Sequence, residues 1–154
     1  MNIRLMTLSD YDAVYQLWLN TPGMGLNNLD DSQQGITKYL ERNPRTCFVA
    51  EIDRRIVGVI LSGHDGRRGF IYHLAVNPSH QRQGIGRALV DAAMQALEVE
   101  GIHKVALVVY TGNESGNTFW EKLGFITRPD LTYRNKNIRD LNMIETCQHQ
   151  PDDY

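Results

Sequence analysis

A turn with two glycines joins a strand-like run to the longest helical pattern of the chain. The stretch NPSHQRQGIGRAL, residues 77–89, has Arg82 and Arg87 on either side of the glycine pair and no Asp or Glu. Glycine lets the backbone come close to a ligand, and the start of a helix has unpaired N–H groups and a partial positive charge. The turn therefore predicts an anion site, with a purely structural corner between strand and helix as the alternative.

Length, charge and cysteine use limit the class of protein. A chain of 154 residues with a formal net charge of -2 predicts one domain that attracts neither nucleic acid nor an anionic membrane. No apolar run reaches the roughly 18 residues of a membrane span, and the N-terminus does not look like a secretion signal. Cys47 and Cys147 are isolated, which favours reduced thiols in the cytoplasm and no bound metal. We expect a domain over residues 1–146 and a polar tail over residues 147–154.

The pattern of apolar residues predicts an α/β domain with the element order βααβββαβαβ. Three strand-like runs with short polar links predict an antiparallel meander, so the sheet should be mixed and mostly antiparallel. The loop between the first two helices, residues 21–32, is rich in Gly, Asn and Asp. The predicted strands are 2–6, 46–52, 56–65, 70–78, 103–111 and 132–145, and the predicted helices are 7–20, 32–43, 84–100 and 113–125.

Two motifs in a fixed order make the anion site more specific. The turn lacks the third glycine of a dinucleotide fingerprint and is not a GxxxxGK[ST] loop. Its pattern Q/R-x-x-G-x-G/A, between LAVNP and an Ala/Leu-rich helix, resembles the acetyl-CoA signature of the GNAT N-acetyltransferases. Downstream, NESGNTFWEKLGF is similar to the N-x-x-A-x-x-x-Y-x-K-x-G-F segment of that family. The DGRRG hairpin and the tail also resemble those of a bacterial subgroup of uncharacterised GNAT proteins.

The resemblance implies where acetyl-CoA, as co-substrate, would bind, and it implies no metal. The pantetheine arm would pair like an extra strand with a splayed sheet, along Leu74, Ala75 and Val76. Asn113 would reach the arm, or serve only as the N-cap of the later helix. The CoA pyrophosphate would rest on the backbone of the glycine turn, at Gln83, Gly84, Ile85, Gly86, Arg87 and Ala88. Gln81 and Arg82 are also expected to bind the cofactor, with Arg82 and Arg87 adding positive charge at the rim.

The sequence does not decide which group donates a proton to the departing thiolate. The position that matches the usual acid of the family, a Tyr, holds Trp120 here, whose indole N–H is too weak an acid and which would instead pack against the cofactor arm or the core. Tyr110 and Tyr133 are substitutes by location, and solvent is the third choice. The oxyanion of the thioester carbonyl would be stabilised by the backbone N–H of Leu74 or Val76.

The sequence also does not decide which group is the general base or which residues form the acceptor site. Many relatives carry a Glu where this chain has Tyr72, with His73 next to it; a water-relayed proton is the third choice. Strand alternation predicts that only one of these two side chains faces the substrate. In the loop over residues 21–32, Asp30 and Asp31 either attract a cationic amine or cap a helix.

The sequence thus predicts an acetyl-CoA-dependent N-acetyltransferase that acts on a primary amine of a small molecule or peptide. The alternatives are a catalytically weak acyl-CoA sensor, and a phosphate-binding domain of another fold, which the second motif disfavours. The expected partners are acetyl-CoA and an unidentified amine, with no nucleic acid and no membrane, and the chain is compatible with a homodimer.

Overall fold

The sheet is a meander of four antiparallel strands with a fifth, parallel strand at one edge. The computed structural model describes residues 1–146. Short turns connect the second, third and fourth strands, so neighbours in sequence pair antiparallel, while the fifth follows a helix and runs parallel to the fourth. In spatial order the strands are β1 (Asn2–Leu5), β2 (Phe48–Ile52), β3 (Arg55–His64), β4 (Gly69–Val76) and β5 (Val105–Leu107).

Two helices cover each face of the sheet. On one face, α1 (Tyr11–Leu19) and α2 (Gln33–Arg42) pack on a core that includes Val59. On the other face, α3 (Ile85–Val99) and α4 (Glu114–Lys122) pack on a core that includes the next residue of β3, Ile60. Because side chains alternate along a strand, the long apolar β3 supplies both cores. No helix within residues 1–146 is long and apolar enough to cross a membrane.

The ends of the helices follow local signals. Ser32 and Asn113 are N-caps, each accepting a hydrogen bond of 3.0 Å from a backbone N–H three residues later. Gly101 follows α3 with φ of 81° and Gly124 follows α4 with φ of 89°, the left-handed conformation that glycine adopts most easily. These signals are local in sequence, which is why the four helices were predictable.

The predicted α/β class and mixed sheet are confirmed, but one predicted strand was too long and another does not form as a regular strand in the described residues. The strand predicted over 103–111 forms only at Val105–Leu107, and Val108 is 58% exposed, because β5 lies at the sheet edge and is not covered on both faces. The last predicted strand, 132–145, is not a regular strand in the described residues. Its polar side chains have little apolar surface to bury, and only a single bridge joins Met143 to Asn27. The predicted tail, 147–154, lies outside the described residues.

Candidate functional site

The sheet opens between β4 and β5. Hydrogen-bonded pairing joins Gly69–Ile71 to Val105–Leu107 and then stops, although β4 itself continues to Val76. Within the described part of the chain no strand covers this edge of β4 beyond Ile71. The result is a gap along residues 72–76, at the place where the splay was predicted.

Backbone groups of β4 point into this gap. The N–H of Asn77 donates to the carbonyl of Val57 in a bond of 2.7 Å, so Asn77 faces β3. Since backbone groups alternate in direction along a strand, the N–H groups of Leu74 and Val76 point away from β3 and into the gap. The side chain of Gln81 donates to the carbonyl of Val76 at 3.3 Å, which agrees with that direction. The side chain of Ala75 is buried in the core under α1.

A bulge in β4 sets the direction of Tyr72. Leu61 pairs with His73 and Ser62 pairs with Ile71, so Tyr72 is one extra residue on β4. A bulge breaks the alternation of side chains. The regular alternation behind the prediction for Tyr72 and His73 is therefore absent here. Tyr72 contacts Tyr39 of α2, with ring centroids 5.7 Å apart, and His73 contacts Trp18 of α1 at 5.0 Å, so both lie on the face of α1 and α2. That only one of the two faces the substrate stays a prediction.

His73 lies in the core, paired with an acidic residue of the loop between α1 and α2. It is 8% exposed, and its Nε2 lies 2.7 Å from Oδ1 of Asp31, which is 3% exposed. The other oxygen of Asp31 accepts from the N–H of Asn27 at 2.8 Å, and its carbonyl accepts from the hydroxyl of Tyr11 at 2.7 Å. Asp31 therefore fastens this loop to β4 and is not free to attract a substrate.

The three candidate tyrosines are exposed. Tyr72 is 58% exposed, Tyr110 62% and Tyr133 66%. The hydroxyl of Tyr110 lies 3.4 Å from the position that a Cβ on Gly25 would take, so Tyr110 reaches the loop. Burial raises the pKa of Tyr72, and the neighbouring Tyr133 and Asp30 raise it further.

The glycine turn presents unpaired backbone donors. After a 3-10 turn at Pro78–His80, Arg82 and Gly84 adopt φ of 61° and 79°, and Gly84 is the N-cap of α3. The carbonyl of Gly84 accepts from the N–H of Ala88 at 3.0 Å, the first donor of the helix to be paired. Three N–H groups precede it and have no partner within the helix, those of Ile85, Gly86 and Arg87. Ile85 is 2% exposed, so its side chain belongs to the core; Gln81, Arg82, Gln83 and Arg87 are exposed.

The two remaining predicted cofactor residues lie at α4. Asn113 caps this helix, as its alternative interpretation stated. Trp120 packs edge-on between Phe119 and Phe125, with ring centroids 5.1 Å apart in each pair, on the core under α3. The indole is therefore a packing group of α4. Phe119 lies next to Gly86, so α4 supports the glycine turn.

The sequence matches one family model over most of its length. The model is that of the Acetyltransferase (GNAT) family, and the match covers residues 11–125. The chain belongs to the GNAT family. An acetyltransferase of Pectobacterium atrosepticum is 32% identical to it over 140 residues, which are 91% of this chain and 98% of the relative. An uncharacterized N-acetyltransferase of Yersinia pestis is 29% identical over the same length, with the same coverage of both chains.

Solved structures show the same fold. Ard1 from Thermoplasma volcanium is similar with a TM-score of 0.73 and 25% identity, over 81% of this GNAT chain and 82% of its own. The aminoglycoside N-acetyltransferase AAC(6')-Iy, solved in complex with CoA, is similar with a TM-score of 0.67 over 88% and 99% of the two chains. At 16% identity the second likeness concerns the fold alone. The predicted family and enzyme class, an N-acetyltransferase, are confirmed.

Sequence analysis of this GNAT protein missed the contacts of the loop over residues 21–32. The N–H of Asn28 donates to the carbonyl of Asn142 and the N–H of Ile144 donates to the carbonyl of Leu26, both at 3.0 Å. A segment near the C-terminus thus pairs with the loop, more than 100 residues away in sequence. No local pattern indicates this pairing, since the segment alternates only weakly.

Proposed function

We propose that this protein transfers an acetyl group from acetyl-CoA to the primary amine of a small molecule or peptide. The observation that carries the proposal is a path of backbone donors in two parts. The first part is the N–H groups of Leu74 and Val76 in the open sheet, and the second is the N–H groups at the start of α3 that have no partner within the helix.

The residues along this path fit the two chemical parts of CoA. Amide groups of a pantetheine arm can pair with an unpaired strand edge, as peptides do in strand addition. Phosphate oxygens accept from N–H groups at a helix start, and the exposed Arg82 and Arg87 add positive charge there. Gly84 leaves this backbone uncovered, since a Cβ on it would meet no atom within 4 Å. A protein of the same fold was solved with CoA, which supports the assignment.

Bound acetyl-CoA supplies an activated acetyl group as a thioester. The neutral amine nitrogen forms a bond to the carbonyl carbon, the carbon–sulfur bond breaks, and the products are an acetamide and the free thiol. The amine loses one proton and the thiolate gains one. The N–H of Leu74 or Val76 donates to the carbonyl oxygen as negative charge develops there, a kind of contact worth roughly 10²–10³ in rate.

Water carries the protons in this proposal, with Tyr72, Tyr110 and Tyr133 as the exposed side chains that could assist. A general base must come within about 3 Å of the proton it removes, directly or through one water. His73 lies in the core against Trp18 and Asp31, so we assign it a positioning role: it holds the loop and β4 together.

A ligand-dependent thermal shift tests the cofactor assignment. Acetyl-CoA at about 100 times its Kd should raise the free energy of unfolding by about 2.7 kcal/mol, since it binds only the folded state. For a domain of this size that is about 5–10 °C in Tm. ATP, which has phosphates but no pantetheine, is the control and should give a much smaller shift. An equal response to ATP would favour a general phosphate-binding domain.

A panel of amines separates an enzyme from a sensor. Thiol release should depend on both acetyl-CoA and an amine, and mass spectrometry should find a product heavier by one acetyl group. Stabilisation by acetyl-CoA without acetylation of any amine would favour the alternative, an acyl-CoA sensor.

A further inference from the structure

The loop over residues 21–32 touches both sides of the gap in the sheet. On the β4 side, Oδ1 of Asp31 lies 2.7 Å from Nε2 of His73. On the other side, the hydroxyl of Tyr110 lies 3.4 Å from the position that a Cβ on Gly25 would take. Tyr110 comes shortly after the end of β5, where the chain no longer pairs with β4. The loop therefore spans the opening from one side to the other.

The loop spans the gap on the face of α1 and α2. Its Leu26 is fully buried in the core that these two helices share with the sheet. On the opposite face, the side chains of Leu74 and Val76 pack on the core to which Phe119 of α4 also belongs. Since we assign acetyl-CoA to the edge of β4 and to the glycine turn, the α1/α2 face is the side left for an amine. An amine that reaches the thioester from this face passes the loop.

The contact between His73 and Asp31 is the buried fastening of this loop to β4. A carboxylate accepts hydrogen bonds and donates none, so Nε2 of His73 is the donor. Within residues 1–146 the other ring nitrogen of His73, Nδ1, has no hydrogen-bond partner. The polar side of the ring is thus committed to Asp31. Without this donor the buried carboxylate would keep the N–H of Asn27, which belongs to the same loop, and the loop would leave β4 until water reached the charge.

We infer that His73 is a positioning residue for the amine: through Asp31 it holds the loop where the loop forms one wall of the acceptor's approach. The inference rests on the proposed function and adds which of the two substrates depends on His73. Because the His73 side chain lies in the core, it acts through the loop and does not touch the amine. Release of the loop weakens binding of the amine, whereas acetyl-CoA, which we assign to backbone donors of β4 and α3, stays bound.

Two substitutions of His73 test the inference through KM. Butylamine, spermidine and trialanine are the amines, and kinetics are measured with the one that the wild type acetylates fastest. His73→Leu should raise the KM of that amine by about 10-fold or more, since a hydrogen bond to a charged group contributes at least that factor. The kcat should fall by a smaller factor than KM rises. His73→Gln, which keeps an N–H donor for Asp31, should recover most of the loss.

A matched pair of milder variants separates the fastening of the loop from general stability. Tyr11→Phe removes one hydroxyl, which donates to the carbonyl of Asp31 at 2.7 Å, and should raise the KM of the amine by about 3-fold. Thr46→Val also removes one buried hydroxyl, which donates to the carbonyl of Ser62 at 2.8 Å, but within residues 1–146 it has no hydrogen bond to the loop. It should lower Tm to a similar extent and leave the KM of the amine unchanged.

Two further measurements make the outcome specific. Hydrogen exchange of residues 21–32 should be faster in His73→Leu and Tyr11→Phe than in the wild type or Thr46→Val, and calorimetry should give an acetyl-CoA Kd close to that of the wild type in every variant. An unchanged amine KM in His73→Leu and Tyr11→Phe, an equal rise in Thr46→Val, or a loss of acetyl-CoA affinity in its place overturns the inference while acetyl transfer stands. If His73→Leu does not fold, Tyr11→Phe against Thr46→Val decides. A wild type that acetylates no amine refutes the proposed function, and the inference with it.

Discussion

The two glycines of the turn should respond in opposite ways to the same substitution. Gly84 has φ of 79°, and a Cβ built on it meets no atom within 4 Å. Gly86 lies in the first turn of α3 with ordinary helical φ, and a Cβ there would lie 3.4 Å from Phe119 and 3.8 Å from Val76. Gly84→Ala thus changes backbone conformational energy alone, whereas Gly86→Ala adds a side chain in ordinary van der Waals contact.

The magnitudes follow from these geometries. A left-handed conformation costs a residue with a Cβ about 1–2 kcal/mol. The lower entropy of the unfolded chain returns about 0.4–1 kcal/mol of this. Gly84→Ala should therefore lower the free energy of unfolding by about 1 kcal/mol. Gly86→Ala should raise it by up to about 1 kcal/mol, the difference between the two residues in a helix.

Urea denaturation of the two variants, monitored by circular dichroism, measures this contrast. Equal slopes against urea would confirm that only stability has changed. If Gly84→Ala is as stable as Gly86→Ala, the left-handed turn at the start of α3 does not form and the reasoning fails.

Binding of acetyl-CoA gives the same pair a second readout. Gly84→Ala should weaken affinity more than Gly86→Ala, because relief of its strain moves the N–H groups that we assign to the pyrophosphate. Gly86→Asp should weaken it at least about 10-fold with the fold retained, since a carboxylate next to these donors repels phosphate. Calorimetry checks both. Unchanged affinity in all three variants would mean that the turn is only a structural corner.

Four further substitutions test the ion pair between Arg4 of β1 and Asp10, the proton donor and the role of Trp120. The Arg4 guanidinium holds the pKa of Asp10 below its ordinary 3.8, so this stabilisation is present above pH 3.8 and is lost as the pH falls through the folded-state pKa. Asp10→Asn should cost about 1.5–3 kcal/mol in urea denaturation at pH 7 and progressively less in acid. Tyr110→Phe and Tyr133→Phe should each lower kcat less than about 10-fold if water protonates the thiolate, and a 100-fold drop at constant acetyl-CoA affinity would identify the acid. Trp120→Tyr should leave kcat within about 10-fold of the wild type in the same assay, because the indole is a packing group.

Local signals in the sequence predicted most of the fold. N-caps, left-handed glycines and the 3.6-residue period depend on residues within one helix, so the four helices are found where expected. The glycine turn was predictable for the same reason, whereas the opening of the sheet was expected only from the family resemblance that the two motifs carry.

Features that depend on distant pairing were not predictable. The bulge at Tyr72 exists only in relation to β3, and the contact of His73 with Asp31 joins residues 42 positions apart. The length of β5 is set by where β4 diverges from it, not by the apolar residues that follow Leu107. Each of these features belongs to the site, so the sequence alone did not decide which groups act as general base and proton donor.

The bulge links the two halves of the site. One extra residue on β4 lets Tyr72 and His73 lie on the face of α1 and α2, while the N–H of Leu74 still points into the gap. An unbroken strand would send one of these two side chains to the α3 face, and either the contact of Tyr72 with Tyr39 or the core contact of His73 with Asp31 would be lost. The same local irregularity thus lets His73 hold the loop over residues 21–32 against the strand that we assign to the thioester.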